Sequence, residues 1–462
     1  MKLFYLGSNI HQEALDIIEA ASNTMVVYED IDVGSVGSSI KKLSTTDRAT
    51  SISKKHIIRA VNAGVTSGIE DREHIFSAVL NDFRLFLLKS RFMRIDVDGA
   101  FYSFAYFSDV VEYALNFAEK YKPDLVYCSY TPHTVEAWIF MRTLEEVGIR
   151  ILRLIASPLP WISLPVTGLS EGRIESLSSG RMGAESEKKI DKYFDLLGGT
   201  YEKALPYYER GMRLFSLQKI RVMISSLNPK NIAKSIEKYL VFREYCKAAR
   251  PFDTEAPFAT YFLHYQPEMN TIPEAGLYCD QYQAIVKIAL ALPEGVKLII
   301  KEHPSTFTKR CDRRWRPRGF YDRIARIPNT QICPPGADAF HHIDRAEFVA
   351  SIAGVCLTEA LARGVTAITF YPYRFQHFLE GLVIDASSLS QSGLRRLLAN
   401  RYNQRIKFTE AEVKANLMNV ANNGYDGSTE ETFIPKAVSE AAGNSRRANC
   451  FAIQDVIDGT LS

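Results

Sequence analysis

The residues from Pro123 to Ser157 follow a strand, helix, strand pattern that constrains the fold more than any other part of the chain. The apolar run LVYCS at 125–129 predicts a strand, and the polar loop YTPH follows it at 130–133. Apolar residues at helical spacing predict a helix over 135–147, and RILRLIAS at 150–157 predicts a second strand. Because strands joined through a helix pair in parallel, we expect an α/β fold.

The same alternation returns in the second half of the chain. Predicted strands and helices follow one another from Phe258 to Tyr371, and residues 188–250 before them are mostly helical in pattern. A chain of 462 residues exceeds one typical core. We therefore predict two Rossmann-like lobes whose parallel sheets face a cleft between them, an N-terminal lobe with a helical insertion at 1–250 and a C-terminal lobe at 251–462. The last helix, after Gly443, is a candidate to pack back on the N-terminal lobe.

Composition and charge exclude several classes of protein. The 46% hydrophobic and 24% charged residues are ordinary for a globular chain. The 56 basic and 53 acidic residues almost cancel, which gives no support for nucleic-acid binding. The seven cysteines include no C-x-x-C pair, which favours a reduced, cytoplasmic protein. The first apolar run is too short for a signal sequence, and none reaches the ~20 residues of a membrane helix. Any membrane association is expected to be peripheral, on the inner face of the cytoplasmic membrane.

The loop KEHP at 301–304 is the first candidate site, because an apolar strand leads straight into it. In open α/β sheets the ligand crevice lies outside the carboxyl ends of the strands. Pro304 fixes its own φ and holds the turn behind His303. The cation of Lys301 and the imidazole of His303 at this edge suit a phosphorylated ligand.

A second loop, at 351–359, leads from the next predicted strand into a helix. Gly354 permits close approach of the backbone to a ligand, and the helix start offers N–H groups to an anion. Ser351 and Thr358 offer hydroxyl donors, while Glu359 can accept from vicinal hydroxyls such as those of a ribose. In the alternative interpretation the glycine is a plain turn residue, the glutamate a favourable first-turn charge and the histidine of the other loop an ordinary loop residue. The order of the two loops at strand ends favours the ligand site.

Short motifs between residues 258 and 375 carry a family resemblance. They are FLHYQPE at 262–268, TIP at 271–273, DQ at 280–281, LPEG at 292–295, KEHP at 301–304, Tyr321, IPN at 327–329, SIAG at 351–354 and TEALARG at 358–364. In this order they resemble bacterial capsule-polysaccharide biosynthesis proteins, a family that includes transferases of the acidic sugar Kdo from CMP-Kdo. Its members resemble the two-lobed GT-B glycosyltransferase architecture. A His-Pro motif followed by a serine motif is also similar to bacterial sialyltransferases, which use CMP donors.

The resemblance implies a nucleotide-sugar glycosyltransferase whose C-terminal lobe holds the donor. His303 would contact the phosphate, the turn from Ser351 to Gly354 with Glu359 would hold phosphate and ribose, and Lys301 would balance the phosphate charge. The leading donor is a CMP-activated acidic sugar such as Kdo or a sialic-acid-like nonulosonate. The implied acceptor is a bacterial surface polysaccharide or its lipid-linked primer. Since the nucleotide-sugar donor is a substrate, no cofactor is expected.

Two departures from the family pattern concern the site. Members usually carry Gly-Thr or Gly-Ser in the turn, whereas this chain has Gly354 followed by Val355, which removes one hydroxyl. Kdo transferases of this type often carry an acidic Glu-Asp-Gly element in the N-terminal lobe. The sequence DVDG at 96–99 is only a weak counterpart.

Candidate catalytic groups of the N-terminal half are His133 and Asp98. His133 lies in a strand-to-helix loop, where an imidazole suits general-base work; a helix-terminal residue satisfied locally is the alternative. Asp98 could act as nucleophile or base, although Asp-Gly is first of all a turn signal. Ser8 and Asn9, after the first strand, are contacts to donor or acceptor, or a plain turn.

The sequence offers no persuasive metal site. The adjacent residues His341 and His342 would point apart on a helix or a strand, and the Asp-x-Asp pattern at 96–98 has no second anchor. We therefore predict a metal-independent reaction in which a helix dipole and Lys/His contacts stabilise the leaving phosphate. The run RRWRPR at 313–318 would meet phosphate, an anionic glycan or lipid headgroups, or, as is commoner, form a solvated loop.

Two other functions stay open at this point. One is a polyol-phosphate transferase that uses CDP-glycerol, whose family also carries a His-Pro element. The other is a non-catalytic capsule-assembly partner on a degenerate transferase scaffold, which the valine at 355 favours and the intact KEHP and TEAL segments oppose.

Overall fold

The structure is a computed structural model in which part of the chain is described. The described residues are 3–7, 14, 16–17, 20, 24–28, 49–51, 54–62, 68–89, 97–129, 131–132, 134–169, 173–174, 186–199, 229–253, 255–266, 268, 271–308, 313, 315–371, 373–378, 381–404, 408–427 and 445–458.

Strands and helices alternate along the described chain. The strands are β1 (Leu3–Gly7), β2 (Thr24–Tyr28), β3 (Ala49–Ser51), β4 (Leu125–Cys128), β5 (Arg150–Ala156), β6 (Ile162–Thr167), β7 (Arg173–Ile174), β8 (Phe258–Phe262), β9 (Lys297–Lys301), β10 (Thr330–Ile332), β11 (Phe348–Ala350), β12 (Thr366–Thr369), β13 (Val383–Asp385) and β14 (Tyr425–Asp426). The helices are α1 (Lys54–Asn62), α2 (Arg72–Lys89), α3 (Val97–Tyr121), α4 (Val135–Glu146), α5 (Ser186–Gly198), α6 (Pro229–Ala248), α7 (Gln281–Ala289), α8 (Ser305–Thr308), α9 (Phe320–Ala325), α10 (Ala339–Arg345), α11 (Val355–Ala362), α12 (Gln391–Gln404), α13 (Glu410–Asn422) and α14 (Ser445–Ile457). Two short 3₁₀ helices lie at Gly276–Cys279 and Tyr373–Phe378.

The chain divides into two compact units. Unit 1 comprises Met1–Ser186, Asn419–Ile434 and Ala441–Ser462, and unit 2 comprises Glu187–Met418 and Pro435–Glu440. Each unit contains its own sheet.

The sheet of unit 1 is parallel in its first part and antiparallel at one side. Strands β3, β2, β1, β4 and β5 lie side by side in parallel, and β6 then pairs with β5 in the antiparallel sense, as β7 and β14 do with β6. The predicted strand, helix, strand unit is confirmed, since β4 and β5 pair in parallel through α4. Thr134 begins α4 as its N-cap, and its hydroxyl accepts from the N–H of Ala137.

The two faces of this sheet bury different helices, because successive strand residues point to opposite sides. Val126 and Cys128 of β4 pack in one cluster with α3 and α4. Leu125 and Tyr127 of the same strand pack in another cluster with α14, whose contacts are Ala448, Ala452, Ile453 and Val456. The last helix is thus part of the core of unit 1.

The sheet of unit 2 has the strand order of a Rossmann fold. Its strands run β10-β9-β8-β11-β12-β13, and all their pairings are parallel. Numbered from β8, this order is 3-2-1-4-5-6. Together with the parallel part of unit 1, it confirms the predicted fold class, an α/β chain of two Rossmann-like units. The first five strands of each unit have the same order, 3-2-1-4-5. The sequence shows no internal repeat and does not reveal this likeness.

The division into units differs from the predicted boundary at 250. Helix α6 lies before that boundary, yet Val241, Tyr245 and Ala248 on its inner face pack in the core cluster of unit 2 with Tyr261 and Ile300 of the sheet. Helix α5 belongs to the same unit. The physical reason is that α6 buries its apolar face in the core of unit 2, so Pro251–Pro257 is a connection within this unit.

None of the described helices is long and apolar enough to cross a membrane.

Removal of buried volume from α14 tests its place in the core of unit 1. Ile453 is fully buried, so Ile453→Ala should lower the free energy of unfolding by ~2–4 kcal/mol through lost burial and a cavity. Urea denaturation followed by circular dichroism measures the change. Gln454→Ala, at the neighbouring half-buried position of the same helix, is the matched control and should cost under ~1 kcal/mol. Equal effects of both variants would contradict the core role.

Candidate functional site

The carboxyl edge of the sheet of unit 2 holds the predicted site residues of that unit. The loop 301–304 follows β9, the turn 351–354 follows β11, and β8 lies between these two strands. In a sheet of this order, ligands bind outside the carboxyl ends of the strands where the order reverses, here β8 and β11. The fold therefore brings both predicted loops to one edge, on either side of β8.

Glu302 is the buried centre of the loop after β9, and its side chain is 0% exposed. Its carboxylate accepts hydrogen bonds from Arg316 Nε and Nη2, from the Tyr321 hydroxyl at 2.7 Å and from the Thr306 hydroxyl at 3.1 Å. The backbone N–H of His303 donates to it at 2.7 Å. Burial alone would raise the pKa of Glu302, but the charge of Arg316 and these hydrogen bonds hold the pKa below its ordinary value. The charged carboxylate thus fixes the loop that presents His303.

Arg316 connects this carboxylate to the loop after β8. Its Nη2 donates to the carbonyl oxygen of His264 at 2.9 Å, and its Nη1 donates to Gln266 Oε1 at 3.2 Å. The Gln281 amide completes the network, since it donates to Gln266 Oε1 at 2.6 Å and accepts from the His264 N–H at 2.7 Å. The loops after β8 and β9 are therefore held together by buried side chains.

The basic run at 313–318 has a different role from both that the sequence left open. Arg316 is buried against Glu302, and Arg313 pairs with Glu244 of α6 at 2.9 Å. Arg318 is exposed. The described cations of this run therefore serve mainly to hold unit 2 together.

His303 is half-buried, and its ring protonation follows from one contact. Nδ1 accepts a hydrogen bond from the N–H of Ser305 at 3.1 Å. A nitrogen that accepts carries no proton, so the neutral ring has its proton on Nε2. His303 can therefore donate from Nε2 without becoming charged. Pro304, between these two residues, fixes the turn.

Lys301 lies deeper than the sequence implied. It is 7% exposed. The pKa of the His342 imidazole is lowered to about 4, mainly by burial and in part by the positive charge of Lys301. Lys301 thus acts electrostatically on α10, and its contact with a phosphate stays a prediction.

Ser351 holds the turn after β11 to the neighbouring strand. Its hydroxyl donates to the carbonyl oxygen of Phe262 at 2.9 Å, and its side chain is almost fully buried. The donor that the sequence assigned to a ligand is therefore given to the backbone of β8. The serine fixes the position of the turn that follows it.

His264 is a site residue that the sequence reasoning missed. It follows β8, and its Nε2 accepts a hydrogen bond from the N–H of Ala353 at 3.1 Å. Its Nδ1 lies 3.6 Å from Glu268 Oε2. The imidazole therefore helps to fix the turn after β11. The signal in the sequence was its position at the end of a strand, inside the FLHYQPE motif, to which no role had been given.

Position 354 requires glycine because there is too little space for a side chain. Its φ of −68° is open to any residue. A Cβ atom there would lie 3.0 Å from Cys356 Sγ and 3.2 Å from Ser351 Oγ, closer than nearly all real contacts of this kind. Gly354 is also the N-cap of α11 and supplies no side-chain oxygen to it. Val355, the first residue of α11, is about half exposed at 47%.

Thr358 and Glu359 lie in the first part of α11. Thr358 is buried, and its Oγ1 has no hydrogen-bond partner among the residues the structure describes. Glu359 is half-buried. Burial raises the pKa of the Tyr193 phenol, the charge of Glu359 raises it too, and that of Arg374 lowers it. Tyr193, on α5, therefore lies within electrostatic range of both charges, which brings α5 to the site against the predicted boundary.

Arg374 is the second residue that the sequence reasoning missed. It lies in the 3₁₀ helix Tyr373–Phe378 after β12 and is 8% exposed. Its Nη1 donates to the carbonyl oxygen of Ala353, with a distance of 3.4 Å. A buried cation is thereby placed beside the turn that precedes α11. A lone arginine in a stretch rich in aromatics carried no signal of this placement.

The candidate residues of unit 1 are described only in part. His133, Ser8 and Asn9 lie outside the described residues. Asp98 and Gly99 do not form a reverse turn, because both lie at the start of helix α3. The catalytic roles of His133 and Asp98 stay predictions.

Buried polar contacts are found at the loop after β4 in unit 1. Arg153 of β5 is fully buried and donates to the Thr131 hydroxyl at 2.7 Å and to the carbonyl oxygen of Gly168 at 3.1 Å. Strands β1 and β4 are neighbours in the sheet, so this loop leaves the sheet at the point where the strand order reverses.

No group of three or more His, Cys, Asp or Glu side chains placed to hold a metal ion occurs within the described part of the chain. His341 is exposed and His342 buried, so the two rings lie on different sides of α10.

Comparisons with known proteins give only distant likeness. No family model matches the chain, and no curated protein sequence matches it. Among solved structures it is similar to the beta Kdo 2,4 transferase KpsC of Thermosulfurimonas dismutans, with 13% identity, 74% of this chain and 88% of that chain covered, and a TM-score of 0.28. It is also similar to the spinosyn rhamnosyltransferase SpnG complexed with thymidine diphosphate, with 12% identity, 99% and 100% covered, and a TM-score of 0.26. A third similar structure is the UDP-GlcNAc 2-epimerase of Neisseria meningitidis bound to UDP-GlcNAc, with 10% identity, 99% of this chain and 100% of that chain covered, and a TM-score of 0.23. Likeness at this level carries no argument about activity, which has to be inferred from the residues of this chain.

Loss of the buried charge at Glu302 should destabilise unit 2. Glu302→Gln leaves Arg316 buried without a counter-charge, and we expect a loss of ~3–5 kcal/mol in urea denaturation at neutral pH. The folded pKa of Glu302 lies below the ordinary 4.5, so its contribution is complete above that pH and is lost as the pH falls through the folded value. The variant should therefore lose less stability than the natural chain between pH 5 and pH 3.

The matched control is Glu255→Gln, which removes the carboxylate of an exposed pair with Arg345. This change should cost under ~1 kcal/mol because water screens the pair. If Glu302→Gln is as mild as the control, the carboxylate does not organise the loops as described.

Proposed function

We propose that this chain is a glycosyltransferase that transfers a sugar from a nucleotide-activated donor, with a CMP-activated acidic sugar such as Kdo or a nonulosonate as the leading donor. The proposed acceptor is a bacterial surface polysaccharide or its lipid-linked primer. The chain would act in the cytoplasm, with a peripheral association with the inner face of the cytoplasmic membrane.

The observation that carries this proposal is the arrangement at the carboxyl edge of unit 2. A histidine whose Nδ1 accepts a backbone N–H, a helix whose N-cap glycine supplies no side-chain oxygen, and the carboxylate of Glu359 follow strands on both sides of β8. An N–H donor and a helix start suit a phosphate, and a carboxylate suits the vicinal hydroxyls of a ribose. A nucleoside with one or two phosphates presents these groups together.

In the proposed reaction the bond between the anomeric carbon and the donor phosphate oxygen breaks, and an acceptor hydroxyl forms the new bond to that carbon. The electron pair of the broken bond goes to the phosphate, and the acceptor hydroxyl loses its proton to a base. His303 and the dipole of α11 would stabilise the phosphate as its charge grows. Asp98 or His133 of unit 1 is the proposed base.

Two other functions use the same edge of unit 2. A polyol-phosphate transferase with CDP-glycerol would need the same nucleotide contacts and also releases CMP, so the transferred group has to be identified in the product. A non-catalytic assembly partner would keep the fold without turnover, and the half-exposed Val355, in place of a hydroxyl residue, favours it.

A panel of CMP-, UDP-, GDP- and CDP-activated donors tests the function. The purified chain should bind or slowly hydrolyse CMP-Kdo or a CMP-nonulosonate in preference to the others, as measured by calorimetry and by release of CMP. Preference for CDP-glycerol would support the polyol-phosphate transferase. If the chain neither binds nor hydrolyses any of these donors, the transferase proposal is wrong and the scaffold function remains.

Replacement of His303 tests the predicted phosphate contact. His303→Ala should weaken binding of the preferred donor by roughly 1.5–3 kcal/mol, the usual effect of losing a hydrogen bond to a charged group. His341→Ala, which removes an exposed imidazole of the same unit, is the control and should leave the affinity unchanged. Unchanged affinity in His303→Ala would take this residue out of the site.

Chelation tests the proposed independence from metal ions. Turnover with the preferred donor should be fully retained after exhaustive treatment with a chelator, because protein donors are proposed to stabilise the leaving phosphate. Loss of turnover that magnesium restores would overturn this part of the proposal.

A further inference from the structure

Arg374 differs from the other buried arginine at the same edge of the sheet. Arg316 is 2% exposed and is neutralised by Glu302. Arg374 is 8% exposed, and within the described part of the chain no carboxylate lies within ion-pair distance of it. Among the described residues, one buried guanidinium thus has a counter-charge and the other has none.

The hydrogen-bonding capacity of Arg374 is largely unused in the described structure. A guanidinium has five N–H donors. Nη1 makes one long contact, 3.4 Å, to the carbonyl oxygen of Ala353, and the buried Nε has no partner among the described residues. Because a buried charge without hydrogen-bonded partners is costly, a protein keeps one mainly where a ligand supplies the missing anion.

The surroundings of Arg374 suit an anion. Ala353 is followed by Gly354, the N-cap of α11, which gives the helix no side-chain oxygen. Thr358, one turn into α11, is buried with its hydroxyl oxygen unpartnered among the described residues. The start of a helix attracts negative charge, and Arg374 is a second, independent donor at the same place.

Glu359 and Arg374 lie near a common side chain. The charges of both act on the phenol of Tyr193, the first raising and the second lowering its pKa after burial has raised it. A carboxylate suited to sugar hydroxyls and a cation suited to an oxyanion therefore border the same part of unit 2. A ribose and the phosphate attached to it carry these two kinds of group side by side.

We propose that Arg374 is an anion-binding residue of this site and that, together with the start of α11, it holds the phosphate attached to the nucleoside of the donor. The identity of the ligand as a nucleotide rests on the proposed function. The binding of an oxyanion by Arg374 rests on its burial and its unused donors. A guanidinium can contact two phosphate oxygens at once, which an ammonium cannot do.

The experiment compares Arg374→Met and Arg374→Lys with the natural chain by calorimetry, with CMP, cytidine and pyrophosphate as probes. Arg374→Met should bind CMP roughly 10- to 100-fold more weakly, because contacts of a charged donor are lost. Binding of cytidine, which lacks the phosphate, should be unchanged. Arg374→Lys should fall between the two, since it keeps the charge and loses the forked donors. Arg318→Met, which removes an exposed cation of the same unit, is the control and should bind CMP normally.

Thermal unfolding without ligand separates binding from a structural role. Because the described structure gives Arg374 no counter-charge, Arg374→Met should unfold at the same temperature as the natural chain or at a higher one, and should lose the stabilisation that CMP confers. A large drop in unfolding temperature without ligand, or CMP binding equal to that of the natural chain, would overturn the inference.

The outcomes also separate this inference from the proposed function. If the natural chain binds pyrophosphate through Arg374 but binds no nucleotide, the nucleotide-sugar function is wrong and the anion site stands. If it binds CMP and Arg374→Met binds CMP equally well, the donor proposal stands and the anion site is wrong. A natural chain that binds none of the three probes contradicts both.

Discussion

The ion pair between Glu302 and Arg316 is the interaction on which the candidate site depends. A fully buried carboxylate is stable only with an equally buried counter-charge and enough hydrogen-bond donors, and Glu302 receives them from two loops and a tyrosine. The same contacts leave the backbone N–H of His303 fixed on the carboxylate. The position of the imidazole is therefore set by a fully buried charge.

The strand order explains why residues so far apart in sequence meet. In unit 2 the chain moves outward from β8 to β10 and then returns to β11 on the other side, which leaves the carboxyl ends of β8 and β11 open to a ligand. His264 and Ser351 lie at these two strand ends. His264 accepts a hydrogen bond from the turn after β11, and Ser351 donates one to the last residue of β8. These polar residues of the strand ends therefore hold the turn after β11 against β8.

Sequence patterns predicted much of the fold and part of the candidate site. The helices and strands around the KEHP loop and the turn at Gly354 were predicted because apolar periodicity is a local property. The boundary at 250 was not predicted, because the sequence alone does not show which core the inner face of α6 packs into. His264 and Arg374 were missed for a similar reason, since a lone histidine or arginine gains a role only from what lies against it.

The sequence by itself determined that the chain is an α/β protein with a strand-to-loop step at Lys301 and a glycine-containing turn before Thr358, since residue spacing along the chain sets helix and strand periods. Only the tertiary structure decided what each polar side chain does. The cation of Arg316 is paired with Glu302, whereas no described carboxylate pairs with Arg374, because long-range folding decides which groups meet a buried charge.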